Sequence, residues 1–185
     1  FAGRMKTATE VNVKVIFCNF QSSDIDLKRY KGIIINTGKR FGFNKKDMLF
    51  TSDLGYPQGI PRQNVLELFT LSNLFICPSF SESFGLTVLE AASRGNFLVL
   101  NEAVPALKEL GDKLNAYFMR WDARKYGYDT KEKYQPSEAA YYQEHAEIIL
   151  NKMREDRVSF AKTKVRQRYN LDWIWKNQLY PILEE

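Results

Sequence analysis

The chain has 185 residues, of which 44% are hydrophobic, and a formal net charge of +5. This length and apolar content allow one sizeable core, which argues against a disordered adaptor. We see no run approaching the roughly 18 apolar residues that cross a bilayer, and no charged stretch that leads into an apolar signal core. We therefore expect a soluble, cytoplasmic protein.

The basic charge suits a phosphate-bearing ligand, an anionic membrane surface or nucleic acid, and it selects none of them. The densest basic stretch, GKRFGFNKK at residues 38–46, contains only two phenylalanines. Two aromatic rings are too few to indicate stacking on bases. We therefore do not expect nucleic acid as a partner.

Short apolar runs alternate with longer helical patterns, which is typical of a parallel sheet with crossover helices. The predicted strands lie at residues 13–18, 48–52, 74–77, 97–100 and 116–119. The predicted helices between them lie at residues 27–41, 62–72, 85–94 and 104–110. We expect a doubly wound α/β fold, which binds ligands outside the carboxyl ends of its strands.

The first residues of the chain do not fit a simple strand. Only nine residues separate Gly3 from the strand predicted at residues 13–18. A crossover between parallel strands needs roughly a dozen or more. Two explanations stay open: the first crossover helix is missing from this chain, or residues 1–3 are not a full strand of the same sheet.

After Trp121 the sequence becomes polar and rich in tyrosine, and from about residue 138 it is strongly helical. We therefore predict an α/β domain at residues 1–121, followed at residues 122–185 by a polar connection and a helical tail that packs on it. Cys18 and Cys77 both lie in apolar strand patterns, where cysteine behaves as a small buried hydrophobe.

Two glutamates, Glu82 and Glu90, have seven residues between them in PSFSESFGLTVLEAASRG, which follows an apolar strand. Ser79 and Glu82 have the spacing of a capping box. A helix that began there would contain Gly85 in its interior, at a cost of about 1 kcal/mol relative to alanine. Starting the helix at Ser83 removes this conflict.

With Ser83 as the predicted N-cap, the backbone N–H groups of Phe84, Gly85 and Leu86 point beyond the strand end. Such a helix start is an anion site, and glycine lets a phosphate approach the backbone closely. Replacing Gly85 by valine is therefore expected to weaken phosphate binding without unfolding the domain.

Glu90 also has a structural explanation. Arg94 stands four residues later, and such a helix pair contributes a few tenths of a kcal/mol. Thr87, Glu90 and Arg94 share one polar arc of the predicted helix, and Val88 lies on the opposite face. Geometry alone leaves open whether either glutamate is structural or functional.

Taken together, the segment ICPSFSESFGLTVLEAASRG resembles the donor-binding domain of the retaining glycosyltransferases of the GT-B fold, in particular family four. That family has a strand, Pro-Ser, Glu-x-Phe-Gly and a second Glu, and Ser83 stands where glycine is more usual. Upstream, DLGYPQGIPRQNVLELFTLSNLFICPS resembles the family's Leu-Gly-Tyr turn, helix and strand. The similarity covers about residues 13–119 and implies the Rossmann-like half of a GT-B enzyme.

The resemblance implies that this domain binds a nucleotide-diphosphate sugar. Glu90 would accept hydrogen bonds from the two ribose hydroxyls, because a carboxylate has two acceptor oxygens. Glu82 would orient the donor sugar near its reacting carbon. The resemblance also implies a turn that contacts the base, formed by Leu54, Gly55 and Tyr56. The implied diphosphate-binding segment consists of Ser83, Phe84, Gly85, Leu86 and Thr87.

The implied reaction transfers the sugar with retention at its anomeric carbon. The leaving oxygen develops negative charge, which fixed donors and cations stabilise. In the family an Arg and a Lys supply the cations, and AGRMK offers Arg4 and Lys6 as catalytic residues beside Glu82, although the lysine spacing departs from the family pattern. Because helix amides neutralise the diphosphate and the sequence has no clustered His or Asp ligand set, we expect neither a metal nor a cofactor.

A GT-B enzyme holds its acceptor in a second, N-terminal α/β domain. This chain has room only for the donor domain and a helical tail, so the resemblance implies a fragment that is inactive by itself. The implied partners are a UDP- or GDP-linked sugar, the missing acceptor domain and a saccharide or lipid-linked acceptor of polysaccharide biosynthesis. A peripheral contact with the membrane surface is an open alternative.

Two other functions compete with this interpretation. One is a module that binds a nucleotide sugar without transferring it. The other is a nucleotide-dependent oxidoreductase, which would carry Gly-x-Gly-x-x-Gly between a strand and a helix. The sequence contains no such triplet.

Overall fold

The computed structural model describes residues 1–9, 11–18, 26–56, 59–121, 123–124, 131–132, 138–154 and 158–183. The chain divides into two compact units. The first comprises Phe1–Val65 and Pro136–Asn151, and the second comprises Leu66–Gln135 and Lys152–Glu185. The boundary predicted at residue 121 follows composition and stays a prediction.

The first unit is built on two short parallel strands. Its elements in chain order are α1 (Ala2–Thr9), β1 (Val15–Phe17), α2 (Leu27–Arg40), β2 (Met48–Phe50) and a 3₁₀ helix (Thr51–Leu54). Phe17 lies opposite Phe50 in the parallel pair, and their rings stack with centroids 4.9 Å apart. The buried apolar side chains of this unit include Met5, Phe43, Phe50, Ala146 and Ile149.

Helix α3 (Arg62–Leu71) leads into the second unit, which has a three-stranded parallel sheet in the order β3-β4-β5. The elements of this part are β3 (Leu74–Cys77), α4 (Leu86–Ser93), β4 (Phe97–Asn101), α5 (Pro105–Leu114) and β5 (Tyr117–Met119). Every residue of the central strand β4 is buried. The core therefore lies between this strand and the helices α4 and α5, which both contact it.

A short antiparallel pair follows, formed by β6 (Ala123–Arg124) and β7 (Lys131–Glu132). The helical tail consists of α6 (Glu138–Arg154), α7 (Val158–Arg168), α8 (Leu171–Ile174), a π-helix (Trp175–Leu179) and α9 (Tyr180–Leu183). Within the second unit, α7 packs against α4 and α5 and buries Ala161 and Val165. None of the helices in the described ranges is long and apolar enough to cross a membrane.

The predicted fold class is confirmed, because parallel strands alternate with helices and a helical tail follows. Residues 1–3 are not a strand, since α1 begins at Ala2. The strand predicted to end at Ser52 ends instead at Phe50, where polar residues with Gly55 turn the chain into a 3₁₀ helix. Cys77 is buried as predicted, but the prediction for Cys18 is wrong, since that side chain is exposed.

Candidate functional site

The loop at residues 78–85 connects the carboxyl end of β3 to α4, at the edge of the sheet where doubly wound folds bind ligands. Its own polar groups brace it. The Ser79 hydroxyl donates a hydrogen bond to the Ser81 carbonyl at 3.1 Å, and the Ser83 N–H donates one to the Glu82 carboxylate at 3.1 Å. The loop that carries Glu82 is thus locally ordered.

Helix α4 begins later than predicted. Gly85, not Ser83, is the N-cap, because Gly85 adopts a left-handed conformation with φ +90° that ends the loop and cannot continue a helix. The amides of Phe84 and Gly85 therefore lie before the helix. Leu86 and Thr87 are its first two residues, and their N–H groups have no acceptor within the helix.

Gly85 is buried and packs closely against the core. A Cβ atom there would lie 3.3 Å from Leu110 and 3.4 Å from both Leu107 and Val88. A valine side chain would point into these leucines instead of toward a phosphate. The expectation that Gly85→Val spares the fold is therefore contradicted by the packing.

Glu82 is half-buried, and its charge acts on the end of β3. Burial raises the pKa of the Cys77 thiol, a hydrogen bond with the Ser79 backbone lowers it, and the negative charge of Glu82 raises it again. The thiol is therefore neutral at pH 7. Cys77 packs in the core, while Glu82 remains accessible to a ligand from the loop.

The polar arc predicted on α4 is present. Thr87 is exposed and Glu90 is half-buried one turn later on the same face. On the opposite face Val88, Ala91 and Ala92 are fully buried. The first turns of α4 therefore carry an exposed hydroxyl and a half-buried carboxylate on the face opposite Val88, and the N–H groups of Leu86 and Thr87 lie at the helix start.

The predicted Leu-Gly-Tyr turn lies in the first unit, directly after the 3₁₀ helix. Gly55 has φ +77°, a conformation that favours glycine, and both Leu54 and Tyr56 are exposed. Asp53, next to the turn, forms an ion pair with Lys31 of α2. The turn is thus tied to α2 and presents its backbone to solvent.

The structure places Arg4 and Lys6 on α1, also in the first unit. Two residues apart on a helix, their side chains leave the axis about 200° apart and so start from opposite faces of α1. The Lys6 ammonium donates hydrogen bonds to the Gly42 carbonyl at 2.8 Å and to the Asp47 carboxylate at 3.1 Å. The Arg4 guanidinium lies over the Phe41 ring, 5.5 Å from its centroid.

Sequence reasoning missed the polar groups at the ends of β4 and β5. Asn101 is fully buried, although the strand had been predicted to end at Leu100. Beyond it, Glu102 and Arg120 form an ion pair with 3.8 Å between carboxylate and guanidinium. The signal available was an asparagine placed directly after an apolar strand pattern.

Residues 46–119 match the family described as glycosyl transferases group 1. This part of the chain is therefore similar to the group 1 glycosyltransferases. The matched residues include the Leu-Gly-Tyr turn and the whole segment from Glu82 to Glu90. Arg4 and Lys6 lie outside the match, as does the helical tail.

Two solved structures share the fold. One is the C-terminal domain of a glycosyl transferase group 1 family protein (LpcC) from Francisella tularensis, with a TM-score of 0.62 and 17% identity over 92% of this chain and 77% of that one. The other is sucrose-phosphate synthase from Thermosynechococcus elongatus, with a TM-score of 0.61 and 14% identity over 99% of this chain. This chain spans 42% of that synthase. No curated protein sequence matches the 185-residue chain.

These two structures confirm a Rossmann-like α/β fold for this chain. Among the residues that the structure describes, no group of three or more His, Cys, Asp or Glu side chains could hold a metal ion. The candidate site is built from glutamates, a hydroxyl and backbone amides.

Proposed function

We propose that the chain binds a nucleotide-diphosphate sugar, linked to UDP or GDP, and serves retaining transfer of that sugar to a saccharide or lipid-linked acceptor. The observation that carries this proposal is the start of α4. There the Gly85 turn brings free amides and two glutamates to the carboxyl end of β3 in a domain similar to the group 1 family.

In this proposal the diphosphate binds at the first turn of α4. The N–H groups of Leu86 and Thr87, with the Thr87 hydroxyl, donate hydrogen bonds to its oxygens, and the helix dipole favours its negative charge. Gly85, and not Ser83 as predicted, is the N-cap of this helix. Without a metal in this arrangement, nucleotide binding should be unchanged by EDTA.

The two glutamates have different proposed partners. Glu90, one turn inside α4, accepts hydrogen bonds from the ribose hydroxyls. Glu82, in the loop before the helix, accepts them from the transferred sugar and orients its reacting carbon. Two further roles stay predictions. One is contact with the base by Leu54, Gly55 and Tyr56, and the other is stabilisation of the leaving oxygen's negative charge by Arg4 and Lys6. For Lys6 that role requires the ion pair with Asp47 to open.

The acceptor is proposed to bind to another α/β domain. Positioning two reactants in one geometry can lower a barrier by roughly 7–11 kcal/mol, and a donor domain supplies half of that arrangement. This chain should therefore hydrolyse a nucleotide sugar slowly at most. A longer chain with an upstream α/β domain should transfer the sugar, and proton NMR of the product should show the donor's anomeric configuration. Comparable transfer by both chains, or an inverted product, contradicts this part of the proposal.

The deciding experiment titrates the 185-residue chain with UDP, GDP and ADP while its melting temperature is followed. A nucleotide at a hundred times its Kd adds about 2.7 kcal/mol of stability, which is easily measured. Glu90→Ala should weaken this stabilisation. Glu109→Ala is a matched control, because Glu109 is an exposed helical glutamate paired with Lys113 on α5. If no nucleotide raises the melting temperature, the proposed function is wrong.

A nucleotide-sugar-binding module without transfer is the second candidate. It shares every contact proposed above and differs only in the reaction. Nucleotide binding by this chain, combined with no transfer by the longer chain under any donor and acceptor pair, would favour the module.

A further inference from the structure

Asn101 ends the central strand β4 and is fully buried, with 0% of its surface exposed. Most buried side-chain amides have partners for both donor and acceptor, because an unpaired buried polar group is destabilising. Its partners come from three different strand ends. Asn101 is thus a polar junction within the apolar core of the second unit.

The Asn101 amide nitrogen donates a hydrogen bond to the Ser79 carbonyl at 3.1 Å, in the loop after β3. Its side-chain oxygen accepts hydrogen bonds from the N–H groups of Ala103 and Trp121, both at 3.1 Å. Ala103 follows β4 and Trp121 follows β5. One side chain therefore ties together the carboxyl ends of all three strands of this sheet.

The bond to Ser79 connects this junction to Glu82. The Ser79 hydroxyl in turn donates to the Ser81 carbonyl, and Glu82 is the next residue. The amide nitrogen is the only donor in the Asn101 side chain, so no other part of that side chain can donate to the Ser79 carbonyl. That nitrogen is therefore the group through which the Asn101 side chain contacts the loop that carries Glu82.

A second buried asparagine offers a comparison at the other end of the same strand. Asn96 is 1% exposed and stands immediately before β4. It donates hydrogen bonds to the carbonyls of Phe69 at 2.7 Å and Ala91 at 3.1 Å, at the edge away from the candidate site. Asn96 therefore reproduces the burial of Asn101 without its connection to the Glu82 loop.

We propose that Asn101 is a positioning residue, which holds the Glu82 loop in the geometry that recognises the transferred sugar of the donor. This inference rests on the proposed function, since it concerns the same ligand. The nucleotide itself binds at α4 and should not depend on Asn101. The expected consequence is a loss of preference for a nucleotide sugar over the bare nucleotide.

The experiment uses calorimetry on the 185-residue chain and its variants, with UDP and UDP-glucose and with GDP and GDP-mannose. The measured quantity is the ratio of the nucleotide Kd to the nucleotide-sugar Kd. Asn101→Ala and Asn101→Asp should both lower this ratio about tenfold, as expected for a lost oriented hydrogen bond, while the nucleotide Kd is unchanged. As an ionised carboxylate, Asn101→Asp keeps an acceptor for Ala103 and Trp121 and has no donor for Ser79, but it also adds a negative charge, which Asn101→Ala does not.

Asn96→Ala is the matched control, and it should lower the melting temperature while leaving the ratio unchanged. In a Glu82→Ala background, Asn101→Ala should lower the ratio no further, because the two residues act through one contact. An unchanged ratio in the Asn101 variants, an equal fall in Asn96→Ala, or loss of folding in both Asn101 variants would overturn the proposal. If the unmodified chain binds neither nucleotide, the proposed function itself fails and this inference fails with it.

Discussion

Two glycine turns, one in each unit, share a backbone conformation but differ in their surroundings. Gly55 has φ +77° and Gly85 has φ +90°, so both occupy the left-handed region. A Cβ atom at Gly55 would meet no heavy atom within 4 Å. At Gly85 it would meet Leu110 at 3.3 Å and Leu107 at 3.4 Å.

The same sequence signal, a glycine shortly after a strand, therefore has two physical causes. At Gly55 only the backbone angle requires glycine, and the space beside it is open. At Gly85 the angle and the packing both require it, because α4 begins against the leucines of α5. A ligand can approach the Gly55 turn from its Cα side, whereas at Gly85 it must approach from the opposite side.

The largest expected effect is on stability at the packed turn. Gly85→Val should lower the free energy of unfolding by about 2–5 kcal/mol, since the left-handed conformation and overpacking each contribute about 1–3 kcal/mol. Gly55→Val, the matched control in the open turn, should lose only about 1–2 kcal/mol from the backbone conformation. Urea unfolding of both variants measures the difference. Equal losses would mean that packing does not distinguish the two turns.

Ligand affinity extends the comparison, because two glutamates, Glu82 and Glu90, flank the packed turn. Glu90→Ala should weaken UDP or GDP and the corresponding nucleotide sugar alike, by about 1.5–3 kcal/mol as for a hydrogen-bonded charged group. Glu82→Ala should weaken only the nucleotide sugar. Calorimetry with both ligands separates the two residues. Equal losses for both ligands in both variants would contradict the division of roles.

The sequence predicts the parallel strands and their helices well, since apolar runs such as LFIC and FLVLN leave little choice of structure. It predicts which residues surround the start of α4, but not where that helix begins. A serine N-cap and a glycine N-cap are both acceptable locally, and only the packing of Gly85 on α5 decides between them.

Long-range contacts are the part that the sequence could not show. The ion pair of Lys6 joins residues 41 positions apart, and the hydrogen bond from Asn101 to Ser79 spans 22. No local pattern encodes such partners, because they depend on how the turns and strands fold against one another. For the same reason the role of Lys6 was predicted from a motif, whereas its ammonium is held by Asp47.

Acid should distinguish the polar interactions buried in the two units. In the first, Asp47 accepts hydrogen bonds from the Asn44 N–H and from Lys6, and these lower the pKa of its carboxyl below the ordinary value. A carboxyl group whose pKa is lowered by folding stabilises the folded state at pH values above its pKa in the unfolded chain. This stabilisation is lost as the pH falls through the pKa of the folded state. In the second unit the Asn101 side chain has no ionisable group, so its hydrogen bonds should not depend on pH.

The melting temperature should therefore fall as pH drops below about 4, the ordinary pKa of an aspartate. Asp47→Asn should flatten this part of the profile. The control is Asp112→Asn, since Asp112 forms an exposed pair with Lys108 on α5 and should leave the profile unchanged. Parallel acid profiles for the unmodified chain and Asp47→Asn would show that Asp47 does not govern acid stability.

The smallest expected effect on stability comes from the ion pair beside the open turn. Lys31 pairs with the exposed Asp53 and lies over the Phe50 ring, 5.0 Å from its centroid. Exposed pairs contribute about 0–1 kcal/mol, so Lys31→Met should barely change the melting temperature. If the turn of residues 54–56 contacts the base, loss of its ion pair with Lys31 should still weaken the preference between UDP and GDP. The ratio of the two affinities should then approach one. The control is Lys108→Met, which breaks a comparable pair on α5 and should leave that ratio unchanged. If Lys31→Met also leaves it unchanged, the turn of residues 54–56 does not contribute to base recognition.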